Sequence, residues 1–502
     1  MNNKNILSLR WEMGFKIVFW LTMVAAVLVR LPFLGADRMW PDEALYAWYA
    51  RQIFLHPQFL FSGEISQFHP PLFAFLMSLG HFLFSSEMAC RVVVMLINIL
   101  GVAGVFFLGN KIKGPFVGCA AAILLSFNPL YLNQSFHILI DGAMCLGIVL
   151  VLLSLTDISS PRMLRVCLSA CALVLLKWPG ALVIPFLIFY FGLTAQGSTF
   201  VSRVGKGKVP IIAGVVLAAI LLLINGLKFG HFLPDTSALG GIYLAKPFWY
   251  YVSKFHNIIM AVFLIPFFIY GLYLSLFRQE SRGLAAALWF LIYLAAISWT
   301  SEKDLRYALP LLPSIMLLSV LGLDVLLGKI VRDVNLQNAV KIAVLILLGL
   351  FFVLQFPKIS RFLTTDASQF SGYRETGHLI QEHFKTDPQA MVVTTSVRAV
   401  QYYADINASD NLKRIVSTPQ TKEAFLGFVK AAPQSLVVVV DYWERTQPAW
   451  IFPVTPEVLM TFKEAGFDGP KEIQKEVVQK DGTKRLKTVQ WIFIRPNQEV
   501  KI

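Results

Sequence analysis

Two acids stand side by side in Met39-Trp40-Pro41-Asp42-Glu43-Ala44-Leu45-Tyr46, and a third, Asp141, stands in His137-Ile138-Leu139-Ile140-Asp141-Gly142 at the edge of an apolar run. A carboxylate placed beside a hydroxyl can take its proton as the oxygen attacks. Other positions carry groups able to hold an anion: His69 before Pro70-Pro71-Leu72, Arg91, the turn Lys177-Trp178-Pro179, Lys246, and Arg306-Tyr307. Cations beside a leaving phosphate stabilise the charge that builds on it. Each has a plainer reading when taken alone. Pro41-Asp42-Glu43 makes a good first helical turn, where free N–H groups favour negative charge, and Asp141 can serve its own helix in the same way. A lone loop cation is most often solvated or snorkels to the interface. An acid inside an apolar segment nevertheless marks a functional position by default. Read together, these residues suit transfer of a phosphate-borne group onto a hydroxyl.

The elements that must position them are membrane helices. The 502 residues are 56% hydrophobic and 15% charged, with a mean hydropathy of +0.63, which excludes an ordinary soluble protein. Residues 1–356 hold 25 Lys/Arg and 14 Asp/Glu, whereas residues 357–502 hold 19 and 16, so a multi-span region precedes one soluble domain. Runs apolar enough to cross roughly 30 Å of hydrocarbon fall near 17–34, 92–110, 115–131, 140–156, 163–177, 179–195, 210–226, 256–277, 284–300, 307–327 and 339–356. The expected architecture is therefore a polytopic α-helical membrane protein of about eleven transmembrane helices with a small C-terminal α/β domain.

Parity fixes the expected topology. Pro71 to Phe84 is a shorter apolar stretch interrupted by His81. If it does not span, the basic clusters Lys111/Lys113, Arg162/Arg165, Arg203/Lys206/Lys208, Arg278/Arg282 and Lys329/Arg332/Lys341 all fall on the cytoplasmic side, as the positive-inside bias favours. Residues 35–91 then form one external loop with interfacial helices, and the acids, the cations near them and the tail lie outside the cytoplasm. The expected location is the inner cell membrane. The net charge of +14 is mostly spread between spans, where it sets topology, so nucleic acid is not expected as a partner; membrane lipids are. All five cysteines precede Ala172 and imply neither a disulfide framework nor a Cys-based zinc site. The first apolar run is read as a retained helix rather than a signal peptide.

In the tail, the Val-rich runs 390–396 and 436–441 predict strands, with helices over 421–432 and 456–465. Asp481-Gly482 lies between KEVVQK and KRLKTVQWIFI and predicts a closing hairpin.

In the order of these motifs the sequence resembles the polyprenyl-phosphate-sugar-dependent glycosyltransferases of the GT-C type, especially the protein O-mannosyltransferase and aminoarabinose transferase group. The matching features are Asp42-Glu43 after the first span, His69 to Leu72, Arg91 opening the next span, the basic turn Lys111 to Lys113, Ser126-Phe127-Asn128-Pro129, Asp141, Lys177-Trp178-Pro179, and Arg306-Tyr307 leading into Leu309-Pro310. The likeness covers the membrane region and leaves the tail weakly matched. It implies an integral membrane glycosyltransferase that moves a sugar from a polyprenyl-phosphate donor to a lipid, glycan or protein acceptor with inversion. On that likeness Asp42 matches the general base and Asp141 the second acidic position, with Glu43 beside the base. His69 departs from the Lys that many relatives carry there, so Lys177, Arg306 with Tyr307, or Arg91 would supply charge to the lipid phosphate. The external loop 227–255, with Lys246, Trp249 and Tyr250, would cover the cavity.

Two or three carboxylates could hold a divalent cation or act without one, so no cofactor is assigned. The alternative from another class is a multi-span transporter, and an inactive sensor or scaffold is a third. Transporters commonly place functional groups at mid-membrane in paired repeats, whereas here they gather at one face.

Overall fold

In the computed structural model the described residues are 3–61, 69–84, 86–156, 163–194, 246–278, 281–300, 303–404, 414–432, 435–444, 447–452 and 454–495, with Val216, Ala219 and Leu223. They divide into two compact units, one of residues 1–34 and 50–356, the other of residues 35–49 and 357–502. The short external segment 35–49 thus groups with the tail rather than with the spans that flank it in sequence.

Among the described residues the secondary structure of the first unit is helical, and the chain is a multi-pass membrane protein. Among the described residues, four helices are long and apolar enough to cross a membrane and seven shorter apolar ones accompany them. The principal helices are α1 (Asn3–Leu28), α2 (Pro41–Leu55), α3 (Leu72–Leu79), α4 (Met88–Lys113), α5 (Pro115–Ser126), α6 (Asp141–Leu155), α7 (Met163–Leu176), α8 (Val183–Thr194), α9 (Ile265–Phe277), α10 (Ser281–Trp299), α11 (Leu312–Ile330) and α12 (Val334–Ala367). The expected span 210–226 lies outside the described residues, apart from three positions. Each of the other ten apolar runs carries helix. The stretch left out of the count, α3, has 8 residues. A further helical turn over Gly80–Phe82 continues it, so that apolar helix covers Leu72–Phe82.

Small residues let these helices close on one another, as packing in lipid favours. A Cβ on Gly109 in α4 would come within 2.8 Å of Gly118 in α5, and one on Gly271 in α9 would overlap the Leu318 carbonyl of α11. Large side chains such as Trp20, Leu21, Leu347 and Leu354 point outward, as lipid-facing residues do. One predicted span begins later than its apolar run, and another opens on a tighter helical turn. Before α9 the backbone breaks into extended conformation at Met260 and Ala261. Before α11 it takes a tight helical turn over Leu305–Leu311, because Pro310 has no N–H for an α-helical bond. The indole of fully buried Trp289 donates to the Pro310 carbonyl at 2.9 Å and fixes that turn.

The second unit is an α/β domain. Its five strands, β1 (Met391–Thr394), β2 (Ile415–Val416), β3 (Leu436–Asp441), β4 (Asp468–Val478) and β5 (Lys484–Arg495), are ordered β2-β1-β3-β5-β4. β1 lies parallel to β2 and β3, while β5 runs antiparallel to both β3 and β4. Strand side chains alternate between faces, and every residue of β3 is buried because both faces are covered. Val437 and Val439 pack with Ile380 of α13 (Tyr373–Thr386) and Val400 of α14 (Val397–Tyr403). Leu436, Val438 and Val440 pack instead with Phe425 of α15 (Lys422–Ala431) and Phe462 of α16 (Pro456–Glu464).

The predicted strands, helices and hairpin of the tail are present. Gly482 adopts φ +88 in the closing turn, and Asp481 accepts hydrogen bonds from the Thr483 N–H and hydroxyl at 2.9 and 2.7 Å. α13, α14 and β2 carry no strong sequence signal and add to the expected set.

Candidate active site

The acids fall into two sets, one in each unit. In the first unit, Asp141 opens α6 and is 1% exposed. Its Oδ1 receives a hydrogen bond from Lys177 Nζ at 2.7 Å. Lys177 reaches it because α7 ends one residue earlier and the backbone turns extended before the helical turn Trp178–Leu182. α6 and α7 are able to pack closely there, since Gly147 faces Leu173 and Gly180 lies against the Leu173 carbonyl.

Lys177 Nζ also lies 4.8 Å from the centre of the Tyr307 ring, and the Arg306 guanidinium stands 5.4 Å from the same ring. Asp304 caps the turn that carries both residues, accepting the Arg306 N–H at 3.0 Å, and its carboxylate stands 3.6 Å from Arg306 Nε. Tyr251 donates to the Asp304 carbonyl at 3.1 Å. Lys246 donates to the Lys303 carbonyl at 2.6 Å while Lys303 donates to the Lys246 carbonyl at 3.0 Å, which ties the segment before Tyr250 to the same turn. The structure therefore brings together Asp141, Lys177, Arg306 and Tyr307, and links Lys246 to them through Lys303 and Asp304.

The second oxygen of Asp141, Oδ2, has no hydrogen-bond partner among the described residues. An ion pair with one open acceptor and two cations around one ring can receive a polar substrate bearing an anionic group. Arg91 is fully buried in the first turn of α4. Gly142, next to Asp141, lies against the Asn98 side chain about two turns further along that helix. His69 is half-buried and precedes α3.

In the second unit, Asp42 is half-buried in the first turn of α2, and Glu43 beside it is fully buried. Glu43 Oε2 accepts the Trp40 backbone N–H at 3.1 Å and Arg38 Nε at 3.0 Å. It thus caps the helix and neutralises a buried guanidinium at once. Arg38 Nη1 donates to the Asp366 carbonyl at 2.9 Å and stands 3.3 Å from its carboxylate. The guanidinium lies 5.5 Å from the Trp40 ring and 5.3 Å from that of Phe370, and these two rings stack on each other. Phe370 takes φ +54, a left-handed conformation unusual for a bulky residue, and its carbonyl accepts the Met39 N–H at 2.9 Å.

Asp37 pairs with Lys475 at 2.7 Å, and Lys475 also bonds Glu375. Burial alone would lower the Lys475 pKa, but its hydrogen bonds to the two acids outweigh this and hold it above the usual lysine value. Behind Phe370 the Trp443 indole donates to the Ser371 carbonyl at 3.1 Å. Asp441 is fully buried at the end of β3 and accepts from Ser396 Oγ at 2.9 Å, the Trp443 N–H at 2.8 Å and the Tyr373 hydroxyl. Burial pushes its carboxyl well above the ordinary range, against the Trp443 hydrogen bond.

Arg38, Asp366 and Lys475 were not singled out by the sequence. The one trace was a charged residue close before Asp42-Glu43, and its partners lie in the tail. Among the described residues no three His, Cys, Asp or Glu side chains gather as a metal ion would require.

The sequence matches the family described as dolichyl-phosphate-mannose-protein mannosyltransferase over residues 68–227. No curated protein matches it in sequence. Among solved structures, apo ArnT from Cupriavidus metallidurans superposes with a TM-score of 0.62 at 13% identity, covering 95% of this chain and 98% of that one. The same protein bound to undecaprenyl phosphate gives 0.62 at 14% identity, with 96% and 98% covered. The apo oligosaccharyltransferase from Archaeoglobus fulgidus gives 0.54 at 12% identity, covering 93% of this chain and 74% of that one. The chain therefore has the fold of these proteins.

Proposed function

We propose that this protein is an integral membrane glycosyltransferase that moves a sugar from a polyprenyl-phosphate donor to a hydroxyl-bearing acceptor on the extracytoplasmic side. The observation that carries the reading is the buried Asp141–Lys177 pair, set against Tyr307 and Arg306, in a chain of this fold. A buried acid that holds a lysine beside a second cation suits a site where a negatively charged leaving group departs. Eleven spans with the N-terminus in the cytoplasm would place these residues and the second unit outside.

In this reading Asp42 takes the proton of the acceptor hydroxyl as its oxygen attacks the anomeric carbon from the face opposite the phosphate. The new glycosidic bond forms as the bond from that carbon to the phosphate oxygen breaks. The electron pair leaves with polyprenyl phosphate, and the sugar centre is inverted. Lys177 and Arg306 meet the charge on the departing phosphate, with Arg91 as a further buried cation. Asp141 holds Lys177 at its post. His69 is neutral over much of the physiological range and contributes a hydrogen bond rather than a fixed charge. Lys246 steadies the turn that carries Arg306 and Tyr307 through its bonds with Lys303. The acceptor is a lipid, a glycan or a protein.

Protein in nanodiscs, offered a panel of polyprenyl-phosphate sugars and acceptors, should release free polyprenyl phosphate, read by mass spectrometry. Asp42→Asn should lower that release by about 10²- to 10⁴-fold, the usual contribution of a general base, while leaving expression and folding intact. Undiminished release by the variant would overturn the assignment of the base.

A further inference from the structure

The acid next to Asp42 is spent on structure, and what it grips leads into the tail. Arg38 is 1% exposed, and it joins Glu43 in the first turn of α2 to Asp366, 328 residues later in the chain. Its forked guanidinium donates to two acceptors in fixed directions, the Glu43 carboxylate and the Asp366 carbonyl, and lies 3.3 Å from the Asp366 carboxylate. Such a fork orients its partners in a way a point charge does not. Trp40, on one side of Asp42, stacks on Phe370, and Phe370 packs against Trp443. Further along α2, buried Trp48 carries the Arg398 guanidinium of α14 4.2 Å from its ring centre. Asp37 closes the same arrangement through Lys475 of β4. The turn that bears Asp42 is thus held on both sides by side chains of residues 357–502.

We infer that the C-terminal domain positions Asp42, with Arg38, Asp366 and Arg398 acting as positioning residues for the base. The inference rests on the glycosyl-transfer reading for what the base does, but the hold on α2 can be tested without it. A general base works only within hydrogen-bond reach of the proton it takes, and a displacement of about 1 Å can cost up to about 100-fold in rate. Loosening these contacts would lower turnover while leaving the groups that hold the donor in place.

The experiment uses full-length protein in nanodiscs with Asp366→Asn, Arg38→Lys and Arg398→Met. Asp366→Asn is the mild variant, since it keeps the backbone carbonyl acceptor and the side chain is 23% exposed. Amide hydrogen exchange over residues 38–49 is measured alongside kcat and donor KM, using whichever polyprenyl-phosphate sugar the wild type turns over. All three variants should raise exchange in that segment. Asp366→Asn and Arg38→Lys should lower kcat about tenfold with donor KM within about twofold. The double variant should be little worse than either single one, because the two residues act through one contact.

Wild-type exchange in all three variants would overturn the positioning role, whether or not any donor is turned over. Raised exchange with unchanged kcat in an active enzyme would break the link to Asp42. An inactive wild type would count against the transfer reading alone, and the exchange result would still decide the hold on α2.

Discussion

Asp141 and Glu43 are both buried acids facing a cation, yet they are held in different ways. Asp141 meets a lysine, whose single ammonium is a point charge on a flexible stem, and one of its oxygens has no partner among the described residues. Glu43 meets an arginine fork and a backbone N–H on one oxygen, with stacked aromatic rings closing around the guanidinium. The first arrangement can re-form around an incoming anion. The second fixes a helix end. Burial and charge alone therefore do not tell an acid that can meet a ligand from one that fixes a helix end; the geometry of its cation does.

The comparison breaks most visibly at Lys177. Lys177→Gln leaves the Asp141 carboxylate buried without its ion pair, which should cost roughly 3–5 kcal/mol of stability, read as a fall in thermal unfolding temperature in detergent. Adding Asp141→Asn should restore most of that loss. If it does not, Lys177 has a packing role that the ion pair does not explain.

A smaller effect is expected at Glu43. Glu43→Gln keeps an oxygen for Arg38 and the Trp40 N–H, so stability should fall by roughly 1–3 kcal/mol, the range for a weakened buried hydrogen bond. Release of polyprenyl phosphate should fall about tenfold, far less than for Asp42→Asn. Equal losses in the two variants would make Glu43 a reacting acid after all.

The smallest effect is at Asp441, where pH is the variable. Its folded-state pKa is raised by burial, so the folded chain binds that proton more tightly than the unfolded chain does. The associated stability is complete below the unfolded value of about 3.9 and is lost as pH rises through the folded one. Asp441→Asn removes this term. Its unfolding temperature, compared with wild type between about pH 4 and pH 7, should rise relative to wild type as pH increases. A constant difference would mean that the carboxyl is charged in the fold at every pH tested.

The membrane helices were legible because a backbone in lipid must satisfy its own hydrogen bonds, so long apolar runs have few other conformations available. The hairpin was legible because Asp-Gly suits a tight turn, and the β1 and β3 strands because Val-rich runs of that length suit a buried sheet. α13 was hidden by its polar sequence: Tyr373, Ile380 and a few other residues carry its buried face among Arg374, Glu375, His378 and Glu382. In the candidate site, Asp141, Lys177, Arg306 and Tyr307 each stood out as an unusual residue for its surroundings. That Lys177 bonds Asp141 depends on how α6 and α7 pack, which residue types do not state. Glu43 drew notice as an acid beside an acid, while its partner Arg38 looked like any loop charge and Asp366 like the end of a solvated helix.

The grouping of residues 35–49 with the tail also has a consequence in time. A ribosome adds about 5–20 residues per second, so the 328 positions between Arg38 and Asp366 take roughly 16 to 66 s to synthesise. Throughout that interval the segment carrying Asp42 has been made and its partners have not. The segment that carries Asp42 thus waits, already made, for the later residues that fix it.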